Sequence, residues 1–414
     1  MNDTYNFFDA IGVADMEKVH SAVIGWMLSD KCDAFGTGDE GRWIRSELLQ
    51  RLFGIQSGFQ KFEAIESHLE WRNIDILIVT TLKDETTLKD EKKCWVIENK
   101  IKSSQHSDQL NRYVKIMNCD YVMSSKKYDD FFSDRLSEEE EKKLTDNPYV
   151  KCEKAYCFLT LIKEDPITAE KVTWKSARYS ALAETLKNAK KNERGKDYPF
   201  VVEYQKCIEE MSKAVDAFLE NYKRYPNVFT DGGLKREDKP TYSEDIARYI
   251  SENGLETIFQ KCFLSTIIPK TKFGQHHFIK ISVSETHGTA LADFTYEIDG
   301  NTTFGFQFQN GTFKIQIAAV EKQDPTDFFK KWMSLLPLSN DKKKVIIEGV
   351  EWPLNKSKEG KKAYLSISRP RKRQKKNQVP FWCEKDFDII EEWKNAFSEC
   401  IDIMDNIILK KPKK

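Results

Sequence analysis

A chain of 414 residues with 66 basic and 66 acidic side chains has no formal net charge, which excludes a protein that coats nucleic acid through bulk charge; any polyanion site must be local. The length exceeds the usual size of one hydrophobic core, so two domains are expected. Hydrophobic residues at 40%, aromatics at 12% and charged residues at 32% describe a soluble globular protein rather than a disordered or fibrous one.

No run of about 18 apolar residues occurs. The opening "MNDTYNFFDAIGV" lacks the basic-then-apolar layout of a signal peptide, so a cytoplasmic location and no membrane partner are expected. The nine cysteines form no C-x-x-C pair and read as reduced thiols. Cys152 and Cys157 lie closest together, but no His or Cys nearby completes a zinc set.

In chain order, "DMEKVHSAVIGWMLSD" places Val19, Val23, Ile24 and Met27 at helical spacing and predicts a helix starting near Asp15. A second helix is predicted over "DEGRWIRSELLQRLFG", with Gly54 as its stop. The strand-like "NIDILIVT" (73–80), a polar connector "TLKDETTLKDEKK" and the strand-like "CWVIENKI" follow and read as a long-looped hairpin.

The segment "SSQHSDQLNRYVKIMN" predicts a helix with Ser103 or Ser104 as N-cap and Leu110, Tyr113, Val114 and Met117 on one face. After a charged stretch come a strand over "KAYCFLTLIK" and helices over 176–190 and 203–223. This order predicts an α/β domain with a small mixed sheet flanked by helices.

A Pro-, Gly- and charge-rich stretch at 225–242 places the expected boundary, giving domains 1–225 and 226–414. Beyond it, "DIARYISENGLETIFQKCFLSTI" reads as helical. "HHFIKISVS", "ALADFTYEI", "TTFGFQFQ" and "TFKIQIAAV" read as an antiparallel meander whose turns carry Asp299-Gly300 and Asn310-Gly311. Helices over "TDFFKKWMSLL" and "FDIIEEWKNAFSECIDIMDNIIL" bracket two further strands, "KVIIEGV" and "AYLSISR". The second domain is therefore expected to be α+β.

The chemistry concentrates in "CWVIENKI". Strand alternation puts Val96, Glu98 and Lys100 on one face and Trp95, Ile97, Asn99 and Ile101 on the other. An acid and an ammonium group in an apolar strand cost several kcal/mol unless they are paired, bind a metal or face a cleft. Asp75, between Ile74 and Ile76, poses the same problem, and antiparallel pairing would bring it beside Glu98.

Two carboxylates and a lysine suit a divalent cation with an ammonium beside it. The tripeptide alone carries no weight, since Glu141-Lys142-Lys143 and Glu359-Gly360-Lys361 repeat it in polar stretches. Its context gives it weight. The bland alternative is a structural ion-pair cluster.

"NIDILIVT", "CWVIENKI" and the helix with "QLNRY" together resemble the PD-(D/E)XK nuclease superfamily, the restriction-endonuclease-like fold. More narrowly, "EKVHSAVIGWMLSD" and "TWKSARYSAL" resemble an uncharacterised bacterial branch of it. The resemblance covers about residues 15–222. It implies Asp75 and Glu98 as ligands of Mg²⁺, for which Mn²⁺ substitutes, with the Asn99 backbone carbonyl as a further ligand. It also implies that Lys100 positions or deprotonates the attacking water, and that Gln109 and Tyr113 contact a phosphate or brace the site.

Glu17 is the candidate acid on the first helix to complete the site; the alternative is a pairing with Lys18 or a nearby loop. His20, one turn on, reads either as a site residue or as a hydrogen-bonded core histidine. Ile74 departs from the superfamily pattern, standing where its name has Pro, without touching the ligands.

The implied activity is phosphodiester hydrolysis in nucleic acid, DNA before RNA, in bacterial defence or DNA processing, with a homodimer allowed. The rival is a catalytically inactive protein of the same fold that binds nucleic acid or serves as a scaffold.

Outside that region, "RPRKRQKKN" holds six basic residues in nine: Arg369, Arg371, Lys372, Arg373, Lys375 and Lys376. They suit phosphate contact by a local patch, or else a solvated loop. His276 and His277 alternate to opposite strand faces and so do not share a metal. Phe304, Phe306 and Phe308 share one face and read as core rather than as a stacking platform.

Overall fold

The computed structural model describes residues 6–31, 34–36, 38–83, 90–103, 105, 109–118, 147–166, 168, 172–191, 198–231, 234–267, 280–286, 289–299, 302–309, 312–319, 324–347, 349–359 and 362–368, with single positions 388, 391, 395 and 398. The chain divides into two compact units, 1–213 and 214–414.

The first unit is built on a mixed five-stranded sheet in the order β1 (Ala64–Trp71), β2 (Ile74–Lys83), β3 (Asp90–Lys100), β4 (Glu153–Thr160) and β5 (Trp174–Arg178). β1, β2 and β3 pair antiparallel; β3, β4 and β5 pair parallel. Around it stand α1 (Phe7–Ala10), α2 (Glu17–Leu28), α3 (Asp39–Leu52), α4 (Gln109–Asn118), α5 (Tyr179–Lys191) and α6 (Pro199–Glu220), the last crossing the division. This is the mixed sheet flanked by helices that the sequence predicts.

The expected hairpin is present, and its arms run into the polar connector as far as Lys83 and from Asp90. Ladder pairing holds those polar residues in strand conformation: Thr81 faces Lys92, Leu82 faces Glu91 and Lys83 faces Asp90. The register also settles the acids. Ile76 pairs with Ile97, so the next step places Asp75 opposite Glu98.

Two strands absent from the sequence reading form the edges of this sheet. β1 joins β2 through a two-residue turn at Arg72 and Asn73, whose φ values of 53° and 65° fit the twist of a tight hairpin without glycine. β5 occupies 174–178, so the helix expected from 176 starts at Tyr179.

One sheet face carries Leu77, Val79, Cys94, Val96, Tyr156 and Phe158, and packs with Leu110, Tyr113, Val114 and Met117 of α4. Spacing of three and four residues gives α4 this stripe, and each fully buried aliphatic side chain contributes at most about 1.5–3 kcal/mol. Beyond Val96 the same face continues into Glu98 and Lys100. On the opposite face α2 lies against β1, β2 and β3, and Trp95 meets Phe53 and Phe62 edge-on.

α3 ends as predicted: Gly54 has φ +83°, its N–H donates to the Arg51 carbonyl and that of Ile55 to the Gln50 carbonyl. This is the paired closure that a left-handed glycine permits.

The second unit holds α7 (Asn227–Thr230), α8 (Asp245–Glu252), α9 (Glu256–Ile267) and α10 (Pro325–Met333). Its antiparallel sheet has the order β10 (Lys344–Ile347), β11 (Val350–Glu359), β12 (Lys362–Ser368), β9 (Thr312–Ala319), β8 (Thr302–Gln309), β7 (Thr289–Asp299) and β6 (Lys280–Thr286). The expected meander is β6 to β9. Phe304, Phe306 and Phe308 are buried on one face, as core.

Two expectations need correction. The helix predicted through 245–267 breaks at Asn253 and Gly254, where Gly254 turns left-handed at φ +60°. "KVIIEGV" spans the end of β10 and the start of β11, because Gly349 (φ +82°) reverses the chain between them. The basic run 369–376, His276 and His277 lie outside the described residues, as does most of the final predicted helix. Among the described residues no helix is long and apolar enough to cross a membrane.

Candidate active site

β2 and β3 place Asp75, Glu98 and Lys100 together on the α4 face of the sheet. Glu98 is fully buried and Lys100 nearly so, at 7% exposure, while Asp75 is half-buried. Lys100 Nζ lies 2.6 Å from Glu98 Oε1. Lys100 and the Tyr113 hydroxyl are the hydrogen-bonding neighbours of the Glu98 carboxyl. Asp75 Oδ2 accepts from the backbone N–H of Asn99 at 2.9 Å.

The electrostatics follow from burial. Desolvation first, then the Asp75 charge, push the Glu98 carboxyl up to about 8, against the pull of Lys100. Burial also raises Asp75, opposed by Lys100 and the Asn99 N–H. Burial works to lower Lys100, but Glu98 and Asp75 outweigh it and the ammonium is held above its ordinary value.

From α4, Gln109 Nε2 donates to the Tyr113 hydroxyl at 2.9 Å. Burial, then Glu98 and Asp75, raise the Tyr113 phenol well above its ordinary range, so it stays a neutral donor beside the carboxylates. Gln109 Oε1 is buried without a hydrogen bond.

These residues fit a hard divalent cation. A fully buried carboxyl pushed up by burial and by a second carboxylate beside it is one that a cation would hold ionised. Among the described residues, however, no three His, Cys, Asp or Glu side chains converge as a metal cluster.

The reason is Glu17. Its Oε1 accepts from the backbone N–H groups of Ile101, Lys102 and Ser103 at 2.9, 3.0 and 2.8 Å. The Ser103 hydroxyl lies 2.9 Å from both carboxylate oxygens. These bonds outweigh the effect of burial and hold Glu17 below its ordinary value. Of the two readings of Glu17, the structure places it on the nearby loop, and Ser103 is engaged there rather than capping α4 from its expected position.

The structure thus brings Asp75, Glu98, Lys100, Gln109 and Tyr113 to one face and sends the Asn99 side chain to the other. His20 is a core histidine: fully buried, it has Nδ1 3.0 Å from the Tyr204 hydroxyl and Nε2 2.7 Å from the Ala14 carbonyl. Burial lowers it to about 4. Cys94, Cys157, Cys207 and Cys262 are buried.

Sequence reasoning missed Ser21, Tyr179 and Tyr204, which gather behind the sheet. Tyr179 stands in the "TWKSARYSAL" stretch, whose polar-aromatic pattern was the available signal.

No curated protein and no solved structure matches the chain. The family model described as the PD-(D/E)XK nuclease superfamily matches residues 5–223, the stretch that contains the mixed sheet and every residue of this site. With more than half of its length matched, the chain belongs to the PD-(D/E)XK nuclease superfamily.

Proposed function

We propose that this protein is a divalent-cation-dependent nuclease that hydrolyses phosphodiester bonds in nucleic acid, DNA in preference to RNA. The observation that carries the reading is the cluster around Glu98: fully buried, opposite Asp75 and with Lys100 at 2.6 Å.

Asp75 and Glu98 would hold the cation, with the Asn99 carbonyl as a third oxygen. Mg²⁺, or Mn²⁺ in its place, supplies neutralisation of the negative charge that builds on the phosphate. Glu98 and Asp75 keep Lys100 charged, so it serves to orient the attacking water by hydrogen bonding rather than to take its proton. The Gln109–Tyr113 pair presents a neutral phenol and an amide whose carbonyl oxygen is unbonded, suited to bracing the site against substrate. The half-buried members, Asp75 and Gln109, lie where substrate approaches.

The six cations from Arg369 to Lys376 offer phosphate contacts in a chain of zero net charge. The preference for DNA, a role in bacterial defence or DNA processing, and a dimer cutting two strands rest on the family resemblance.

The rival is a protein that keeps the fold and binds nucleic acid without cutting it. Plasmid and single-stranded substrates incubated with Mg²⁺ or Mn²⁺ separate the two. Cleavage by the wild-type chain that is lost in Asp75→Ala and Lys100→Ala is expected; cleavage undiminished in both would remove this site from the reaction, and absence of cleavage with intact cation binding would favour the rival.

A further inference from the structure

We propose that a buried cluster behind the sheet, in which Asn99 is hydrogen-bonded to Ser21 and Tyr179 and the Tyr204–His20 pair packs beside Tyr179, is the positioning device of the active site and acts through the Asn99 backbone. The inference rests on the nuclease reading and assigns work to residues which that reading leaves unused.

Asn99 stands between Glu98 and Lys100 and points the other way. Its Nδ2 donates to the Glu17 carbonyl at 3.1 Å and lies 3.0 Å from the Ser21 hydroxyl, while its Oδ1 accepts from the Tyr179 hydroxyl at 2.5 Å. A carbonyl can only accept, so the Glu17 contact fixes which way the amide faces. Both amide protons and the amide oxygen are therefore engaged, in a side chain with no exposed surface.

Tyr179 and Tyr204 are likewise fully buried. Tyr204 meets His20 Nδ1 at 3.0 Å. The Ala14 carbonyl, 2.7 Å from Nε2, must receive a proton, so neutral His20 carries it on Nε2 and accepts from Tyr204 on Nδ1. His20 and Tyr179 also meet edge to face, with ring centroids 5.4 Å apart. The amide of one strand residue is thus hydrogen-bonded to α2 and α5, and His20 of α2, bonded to Tyr204 of α6, packs against Tyr179.

The opposite end of Asn99 reaches the chemistry. Its backbone N–H is the donor to Asp75 Oδ2 at 2.9 Å. Rotating the peptide would break that bond and swing Glu98 and Lys100 with it.

The start of α2 grips the next residues as well: the Glu17 carboxylate takes the N–H groups of 101–103, and Lys102 pairs with Asp15. Ile97 and Ile101 fill the same strand face with apolar side chains. An apolar residue at 99 would leave the Tyr179 and Ser21 hydroxyls and the Glu17 carbonyl buried without this partner, whereas the satisfied amide specifies one geometry.

Tyr179→Phe removes one hydroxyl and keeps the ring; Asn99→Leu replaces the whole amide at similar volume. Three quantities are measured below the unfolding temperature of each variant: hydrogen exchange of the Asn99 amide relative to that of Val96 by NMR, Mn²⁺ affinity by calorimetric titration, and kcat and KM for plasmid cleavage. Each variant is expected to speed Asn99 exchange, weaken Mn²⁺ binding and lower kcat, each by roughly tenfold, the scale of one hydrogen bond lost in the interior, with KM for DNA within about twofold.

Lower thermal stability with wild-type Mn²⁺ affinity and kcat would mean that the network only supports the fold, and would overturn the inference. A wild-type chain that binds Mn²⁺ but cuts nothing overturns the nuclease reading and leaves the Mn²⁺ affinities to judge the network. If the wild-type chain binds no Mn²⁺ either, the exchange rate judges it alone, and unchanged Asn99 exchange in both variants refutes it.

Discussion

Glu98→Gln should make the cation-free protein more stable, by an amount that grows with pH. In the folded chain burial and Asp75 hold the Glu98 carboxyl near 8, against an ordinary value of 4.5 for the unfolded chain. A group raised in this way favours the folded state fully below 4.5 and loses that contribution as pH climbs through 8, because the unfolded chain releases its proton first. Each pH unit in between is worth about 1.4 kcal/mol, so by pH 8 the wild-type chain forfeits on the order of 4–5 kcal/mol that Gln, which does not titrate, retains.

Lys100 loses its 2.6 Å partner in the variant but keeps Asp75 and Glu17 nearby, which trims the net gain to about 3 kcal/mol. For a domain of this size that is a rise of roughly 6–12 °C in Tm. The assay is thermal unfolding followed by circular dichroism in EDTA at pH 5 and pH 8. The variant should match wild type at pH 5 and exceed it at pH 8, and Mg²⁺ should stabilise only the wild type. A gap that stays the same at both pH values would refute the argument from burial and like charge.

Two further outcomes are expected. In the Glu98→Gln background, which removes the largest opposing titration, His20 should withdraw about 3 kcal/mol of stability as pH drops from 6.5 towards 4: the unfolded chain protonates its histidine at 6.5, while burial keeps His20 neutral down to about 4. An NMR titration placing the His20 ring near 6.5 would contradict this. Gly41→Ala should destabilise by about 1–3 kcal/mol in urea unfolding despite its helical position, because the added Cβ would stand 2.3 Å from the Gly36 carbonyl oxygen and 2.5 Å from that of Phe35, both backbone atoms; a neutral or stabilising effect would show that the α3 start can shift.

Much of the site was legible along the chain, because strand alternation is a local rule. Period two placed Glu98 and Lys100 on one face and Asn99 on the other, and the polar residues stood out against an apolar run. The stripe of α4 and the glycine stop of α3 were equally local. β1 was not legible: most of its residues are only half-buried or exposed, so it lacks a hydrophobic signature and exists because β2 offers it a ladder. β5 is short and mostly polar for the same reason. The polar ends of β2 and β3, residues 81–83 and 90–93, were drawn into strand conformation by pairing, against their own composition.

Sequence by itself determined on which strand face Glu98, Lys100 and Asn99 would lie, since that follows from neighbours one or two positions away. Tertiary structure alone decided how each is held. Glu17, as free in the sequence as any helical acid, is committed to three amide protons 84 to 86 residues distant, and His20 and Tyr204 meet across 184 residues. Hydrogen bonds of that reach leave no periodicity behind, because their partners are chosen by packing in three dimensions rather than by spacing along the chain.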